Sequence, residues 1–272
     1  MRAEPIFASL NANPYPPKAP SLQQRLDRRL TEMGFGSAII DNKLGIALVD
    51  ISNPRKPEFA GVNHYQMQYA ASLPKIAILF GLMKQVEAGD IRYNDVLRSL
   101  ASDMIQYSSN TAATELYLKI GPDYLAKLLM SPHYQFYNRR FGGGLWVGKE
   151  YSKEPAWQRE PMKNLSHAAS PLQVARFYYM LAQDKLFKKE WVQEEMKDLM
   201  RGSELDHKFI HGLKKCCPDA IAYRKSGSWS TFHSDSALIE NGEKKYIAVA
   251  LTNDPVGYKW LEDLIVEFDQ LV

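Results

Sequence analysis

The sequence predicts an α/β protein of the α+β type, in which helices flank a mostly antiparallel sheet and an all-helical lobe is inserted into the chain. Strand-like segments occur near both ends: "SAIIDNKLGIALVDIS" and "EFAGVN" come early, and "AIAYRKSGSW", "FHSDSALIE" and "KYIAVALTN" come late. The segment between them has helical spacing. A single sheet with a helical lobe inserted between its early and late strands explains this order. The cleft between the two lobes is the first candidate for a functional site.

Composition places the chain in the ordinary globular class. It has 272 residues, 45% of them hydrophobic and 24% charged, and its net charge of +3 gives no reason to expect a nucleic-acid partner. Cys216 and Cys217 are adjacent, and neighbours rarely form an unstrained disulfide, so we expect no disulfide framework. The sequence has neither eighteen consecutive apolar residues nor an apolar leader, so we expect no membrane span.

The N-terminal elements follow from caps and breakers. The proline-rich stretch "NPYPPKAP" predicts an extended lead-in over residues 1–20. "SLQQRLDRRLTEMG" is a helix with a serine cap and a closing glycine. We assign residues 21–71, with residues 205–272, to the lobe that contains the sheet.

Residues 72–204 are assigned to the helical lobe. Helices are predicted in "PKIAILFGLMKQVEAG", "NDVLRSLASDMI", "TAATELYLKIG" and "PDYLAKLLM", and again in "SPLQVARFYYMLAQ" and "KKEWVQEEMKDLM". Residues 131–166 show no sustained period, and a structureless run of this length in a compact protein is usually functional. The last helix of the chain places Leu261, Leu264, Ile265, Phe268 and Leu271 on one face.

The segment "ASLPK" contains a candidate nucleophile. Ser72 and Lys75 lie one helical turn apart, so their side chains share a face. A serine hydroxyl needs a base to become a nucleophile, and a lysine is a base only when burial or another cation lowers its pKa. The alternative is structural, with Ser72 as a helix cap and Lys75 extended to solvent. About one such match is expected by chance at this length, so the pair alone is a weak signal.

Two further motifs change this assessment. "YSSNTAA" places Ser108 and Asn110 just ahead of a helix, where a helix cap at Ser109 or Asn110 would explain the pattern. "RKSGSW" places Lys225 and Ser226 in a strand, where a glycine bulge at an edge would explain the pattern. Each motif alone has a structural explanation, but three in this order at a helix start, a turn and a strand are hard to obtain by accident.

This set of motifs resembles the active site of the class A β-lactamases and penicillin-binding proteins. The similarity runs from about residue 21 to residue 272 and implies the β-lactamase/transpeptidase fold. It implies that Ser72 is the acylated nucleophile and Lys75 its base partner. Ser108 would relay a proton to the leaving nitrogen, and Asn110 would hold the substrate amide.

The resemblance also assigns the strand motif. Lys225 and Ser226 would bind the substrate carboxylate, and Lys225 would help to keep Lys75 neutral by repulsion between like charges. The main-chain N–H groups of Ser72 and Ser228 would form the oxyanion hole.

Three features depart from the family pattern. The middle motif reads Ser-Ser-Asn instead of Ser-Asp-Asn, and Ser72 and Ser108 are only 36 residues apart, which implies a more open cleft. The family register places Glu154 where a glutamate activates the deacylating water, yet Trp157 and Gln158 stand where Leu and Asn are expected. Glu154 is therefore either that catalytic group or a solvated loop carboxylate, and the nearby alternatives are Glu150 and Glu160.

The leading hypothesis is a β-lactamase-like serine hydrolase that acts through an acyl-enzyme on Ser72. The alternatives are a penicillin-binding protein or D-alanyl-D-alanine peptidase with slow deacylation, an esterase or amidase, and a binding protein without turnover. The expected partners are β-lactams and small-molecule or peptidoglycan-derived peptide substrates. We expect a monomer without metal or cofactor. The resemblance implies a periplasmic or secreted protein, while the visible N-terminus leaves a cytoplasmic one open.

Other chemistry has weaker support. The sequence contains no Gly-x-Ser-x-Gly elbow of an α/β-hydrolase. His207 and His211 have a spacing that could hold a metal on a helix, but surface histidines are the simpler interpretation. His233, just past the Lys-Ser-Gly strand, is close enough in sequence to border the cleft.

Overall fold

The computed structural model describes residues 20–272, so nearly all of the predicted lead-in lies outside the described residues. The helices are α1 Leu22–Glu32, α2 Gly36–Ile40, α3 Lys75–Ala88, α4 Asp95–Gln106, α5 Asn110–Ile120, α6 Pro122–Met130, α7 Pro171–Ala182, α8 Glu190–Met200, α9 Phe209–Cys216 and α10 Gly257–Leu271. The strands are β1 Leu44–Asp50, β2 Glu58–Val62, β3 Gln68–Tyr69, β4 Tyr137–Asn138, β5 Gly143–Gly144, β6 Trp146–Val147, β7 His167–Ala169, β8 Ile221–Trp229, β9 Phe232–Asn241 and β10 Lys244–Asn253.

The main sheet has five antiparallel strands in the order β2-β1-β10-β9-β8. The early strand β1 lies beside the late strand β10, with Leu48 opposite Ala248, and β8 pairs with β9, with Lys225 opposite Ser236. This mixed architecture confirms the predicted fold class. Because β8 is an edge strand, its free side is available to the elements that carry the other motifs.

Each face of the sheet buries its own apolar core. Helices α1, α9 and α10 cover one face, where Leu26, Leu261, Leu264 and Phe268 are fully buried. The helical segments cover the other face, and α3 is buried along most of its length. Burial of one such apolar side chain contributes about 1.5–3 kcal/mol, so α3 and the residues at its start are held firmly in place.

Two predictions about elements need correction. Ser37–Ile40, expected to begin a strand, belongs to the short helix α2, and the chain then turns through Asn42, whose φ is +55°. Residues 131–166 are not structureless. They contain the two-residue strands β4, β5 and β6, and β6 joins β3 and β7 in a three-stranded sheet.

Two further findings concern the chain as a whole. Among residues 20–272, no helix has the length and apolar character needed to cross a membrane. Cys216 and Cys217 are joined in a disulfide, which the sequence did not lead us to expect; since the two are neighbours, it connects no distant parts of the chain. The division into residues 21–71 plus 205–272 and residues 72–204 stays a prediction.

Candidate active site

Ser72 lies in the turn that leads into α3, directly against β8. The turn is tight, with Ala71 in the left-handed region at φ +49°. A methyl group at Gly227 would lie 2.3 Å from the Ala70 carbonyl oxygen and 2.7 Å from the Ser72 nitrogen, so only glycine fits there. Ser72 does not cap the helix, because the cap position is Pro74 and no side chain bonds there.

Lys75, the first residue of α3, is fully buried and points its ammonium group at oxygen atoms of the turn before α5. It donates to the carbonyl oxygens of Ser108 at 2.6 Å and Ser109 at 3.2 Å, and to Asn110 Oδ1 at 2.8 Å. Burial lowers the pKa of Lys75 to about 7, because the charged form loses its hydration. A substantial fraction of Lys75 is therefore neutral, and able to act as a base, near pH 7.

Ser108 joins the two buried lysines of the site. Lys225 Nζ donates to Ser108 Oγ at 2.9 Å and to the Ser226 carbonyl oxygen at 2.8 Å, and Lys75 Nζ lies 3.5 Å from the same hydroxyl. Ser108 has φ +61°, a left-handed conformation that non-glycine residues adopt at a cost of about 1–3 kcal/mol and that clusters at functional sites. The hydroxyl therefore lies within reach of both lysine amines.

The electrostatic role expected for Lys225 stays a prediction. The pKa of Lys75 is lowered by burial. The pKa of Lys225 is lowered well below its ordinary value, first by burial and next by repulsion from Lys75.

In the middle motif, Ser109 stabilises the start of α5, whereas Asn110 belongs to the candidate site. Ser109 Oγ caps α5 by accepting from the Ala112 N–H at 3.2 Å. Asn110 begins the helix with an exposed side chain whose oxygen accepts from Lys75. Asn110 therefore connects the buried lysine with the open cleft.

Lys208 is a site residue that the sequence did not reveal. It is buried just before α9 and donates to the Gly227 carbonyl oxygen at 2.6 Å, to Ser228 Oγ at 2.7 Å and to the Ser234 carbonyl oxygen at 3.1 Å. Burial lowers its pKa to about 7. His233 also borders this end of β8, with Nδ1 3.4 Å from Ser228 Oγ. Lys208 belongs to no motif, and its position results from tertiary packing.

A buried ion pair between Arg224 and Asp235 holds Lys225 and Lys208 in position. Arg224 donates to the two carboxylate oxygens of Asp235 at 2.8 and 2.7 Å, and both side chains are almost fully buried. Asp235 also accepts from the Phe209 N–H at 3.1 Å, at the start of α9. Bidentate pairing of this kind adds geometric specificity, and here it ties β8, β9 and the segment with Lys208 together.

The structure does not bring Glu154 to this cluster. Its side chain is exposed, and within residues 20–272 its carboxylate makes no hydrogen bond or ion pair; only its N–H donates, to Ser152 Oγ at 3.1 Å. Tyr151 of the same loop lies there instead: its ring centroid is 4.6 Å from Lys75 Nζ, and its hydroxyl donates to the Ala71 carbonyl oxygen at 3.1 Å. Burial raises the pKa of Tyr151 well above its ordinary value, so the hydroxyl keeps its proton.

The alternative carboxylates have other surroundings. Glu160 is buried and accepts from the Tyr137 hydroxyl and from the N–H groups of Met162 and Lys163, both at 2.6 Å, so it holds the loop together. Glu150 lines the cleft beside Tyr151, where it accepts from Ser152 Oγ at 3.4 Å.

His207 and His211 do not lie on one helix, because α9 begins after His207. In the described part of the chain, no group of three His, Cys, Asp or Glu side chains could hold a metal ion.

A cleft of about 720 Å³ opens beside the cluster. Asn110 and Tyr151 border it on the side of the buried lysines, and Trp229, the residue after Ser228, borders it at the end of β8. The site combines Ser72 at the head of a buried helix, two buried lysines around Ser108, and a strand edge next to an open cleft. This is the arrangement of a β-lactamase-like serine hydrolase.

The chain belongs to the β-lactamase enzyme family. The model of that family, described as "Beta-lactamase enzyme family", matches residues 96–270. The matched range contains Ser108, Asn110, Lys225 and Ser226, whereas Ser72 precedes it. No curated protein sequence matches the chain.

Solved structures share the fold over almost the whole chain. PBP-A is 18% identical with a TM-score of 0.68, covering 94% of this chain and 97% of its own. A β-lactamase from Xanthomonas campestris pv. campestris is 16% identical with a TM-score of 0.71, covering 92% and 98%. A β-lactamase from Sphaerobacter thermophilus is 16% identical with a TM-score of 0.68, covering 88% and 95%. At these levels of sequence identity, the structural similarity shows that the fold is shared.

Proposed function

We propose that this β-lactamase-like protein is an active serine hydrolase in which Ser72 attacks the amide carbonyl of a β-lactam or of a peptidoglycan-derived peptide. The observation that supports the proposal most strongly is the buried Lys75 at the start of the Ser72 helix, with a pKa lowered to about 7. A lysine without this burial would be protonated at neutral pH and could not accept the serine proton.

In the proposed acylation, neutral Lys75 takes the proton of Ser72 Oγ while the oxygen bonds to the carbonyl carbon. The N–H groups of Ser72 and Ser228 stabilise the oxyanion. The C–N bond then breaks, Ser108 Oγ gives its proton to the leaving nitrogen, and the proton on Lys75 restores the Ser108 hydroxyl across the 3.5 Å that separates them. Lys225 orients Ser108 and, with Ser226, binds the substrate carboxylate.

Release of the acyl group requires a water molecule at the ester carbonyl. Since Tyr151 covers Lys75 and Glu154 is exposed, we propose that deacylation is slower than acylation, so that the acyl-enzyme accumulates. One of the similar structures is a point mutant of PBP-A that is described as an acyl-enzyme complex with penicillin G, and an adduct in a protein of the same fold supports this proposal. Of the two roles that the sequence left open for Glu154, catalytic group or solvated loop carboxylate, we propose the second, because its side chain is exposed.

The test is intact mass spectrometry after incubation with benzylpenicillin, together with turnover of a chromogenic cephalosporin. We expect a single adduct with the mass of the penicillin, slow turnover, and loss of both in Ser72→Ala. Turnover without an observable adduct would show rapid deacylation. An adduct that persists in Ser72→Ala, or no adduct and no turnover with any β-lactam, would contradict the proposal.

The proposed function leads to two further proposals, one on the cellular location of the protein and one on its oligomeric state. The proposed peptide substrates and the β-lactams are met outside the cytoplasm, so we propose a periplasmic or secreted protein, to be checked by fractionation of producing cells. We also propose that the protein is a monomer, which sedimentation velocity will check by giving the mass of the particle in solution.

A further inference from the structure

The cleft has an aromatic wall. Tyr69 makes edge contacts with Trp229 and Phe232, with both pairs of ring centroids 5.5 Å apart, and all three residues line the cleft. Trp229 is 61% exposed, which is unusual for the largest apolar side chain. Aromatic faces in this arrangement bind apolar or aromatic groups and exclude water from one side of them.

The loop side of the same cleft is cationic. Lys149, Lys153 and Arg159 line it with a single carboxylate, Glu150, which gives a net charge of +2. Within residues 20–272 none of the three cations forms an ion pair, and Arg159 donates only to the Asn164 carbonyl oxygen at 3.3 Å. Cations that the protein itself leaves without a counter-charge favour an anionic ligand in the cleft.

The cleft continues the site on the side of the acyl group. In the proposed function, Lys225 and Ser226 hold the carboxylate near the leaving nitrogen, and we assign Asn110 to the substrate amide on the acyl side of the bond that breaks. Asn110 also lines the cleft, as does Trp229 at the end of β8. A substituent beyond that amide therefore extends between the aromatic wall and the cationic loop.

We propose that the substrates of this site carry both an apolar or aromatic group and a carboxylate on the acyl side chain. The apolar group packs on Trp229 and Tyr69, and the carboxylate faces Lys153 and Arg159. The proposal rests on the proposed function and adds the substrate class.

The test compares two penicillins that differ in one carboxylate, benzylpenicillin and carboxybenzylpenicillin, by their second-order rate constants for acylation at low salt. We expect the wild type to favour the carboxylated compound. Because two exposed ion pairs are removed in Lys153→Gln/Arg159→Gln, the carboxybenzyl-to-benzyl ratio falls about two- to thirtyfold. Glu150→Gln raises the ratio, and 0.5 M NaCl reduces the preference in the wild type.

Two further variants complete the design. Lys119→Gln removes an exposed cation near the far end of α5 and keeps the ratio of the wild type. Trp229→Ala slows both compounds to a similar extent, because they share the phenyl group. If neither compound acylates Ser72, the proposed function fails. If both acylate but the ratio is below one in the wild type, or is unchanged in Lys153→Gln/Arg159→Gln and Glu150→Gln, the inference is overturned.

Discussion

At the scale of single residues, the site depends on lysines placed where water does not reach them. Lys75, Lys208 and Lys225 are each at most 2% exposed, and all three bind oxygen atoms of the turn before α5 or of the β8 edge. Burial without a carboxylate partner lowers each pKa. Burial lets a lysine act as a base at neutral pH, but it also lowers the stability of the folded protein.

The pH dependence of acylation should report Lys75. Only the neutral amine accepts the Ser72 proton, and the pKa of Lys75 is lowered to about 7. We expect the rate of penicillin acylation to rise about tenfold per pH unit below pH 7 and to level off above it. Stopped-flow acylation between pH 5.5 and 9 checks this, and a rate that still climbs steeply above pH 8.5 would contradict it.

The exposed position of Glu154 leads to a second expectation. Surface substitutions usually have small effects, so Glu154→Gln should change the lifetime of the penicillin adduct by less than about twofold, as should the control Glu243→Gln on the β9–β10 turn. Decay of the adduct followed by mass spectrometry gives the lifetimes. An adduct that lives more than tenfold longer in Glu154→Gln alone would assign the deacylating water to this carboxylate.

At the scale of elements, the contact of β8 with the Ser72 turn is the critical packing. Gly227→Ala would place a methyl group against Ala70 and Ser72, and overpacking of this kind costs about 1–3 kcal/mol. We expect lower thermal stability and acylation slowed at least tenfold. Gly36→Ala is the control, since nothing lies within 4 Å of the added methyl group. Acylation of Gly227→Ala at the wild-type rate would show that β8 is not in tight contact with the Ser72 turn.

The elements that the sequence predicted well have strong local signals. The start and end of α1, the Ser109 cap of α5 and the buried face of α10 follow from caps and periodicity. Helix α2 was missed because Ile39 and Ile40 favour a strand locally. Strands β4 to β6 were missed because two residues carry no period, and Tyr151 and Lys208 because only tertiary packing brings them to the site.

At the scale of the whole molecule, buried lysines couple stability to pH. The pKa of Lys208 is lowered from 10.5 to about 7, so between these values the folded protein binds fewer protons than the unfolded chain. The free energy of unfolding therefore rises with pH in this window, by about 1.4 kcal/mol per pH unit for one such lysine. Below pH 7 this gain is absent.

Lys208→Met removes this contribution. We expect the slope of unfolding free energy against pH, measured by denaturant titration between pH 7.5 and 9.5, to fall by about 1.4 kcal/mol per unit. Lys119→Met, on the exposed face of α5, should keep the slope of the wild type. Equal slopes in Lys208→Met and the wild type would show that Lys208 stays charged in the folded protein.

The strand order has a consequence for biosynthesis. β1 pairs with β10 along its whole length, and the partners Leu44 and Thr252 are 208 positions apart. Pairings between such distant residues form slowly, because a long loop must close first. A ribosome therefore releases almost the entire polypeptide before the central strand pair can assemble, and β1 and β2 leave the exit tunnel long before their neighbour exists. The nascent chain must keep an apolar hairpin from aggregating until its last strand arrives.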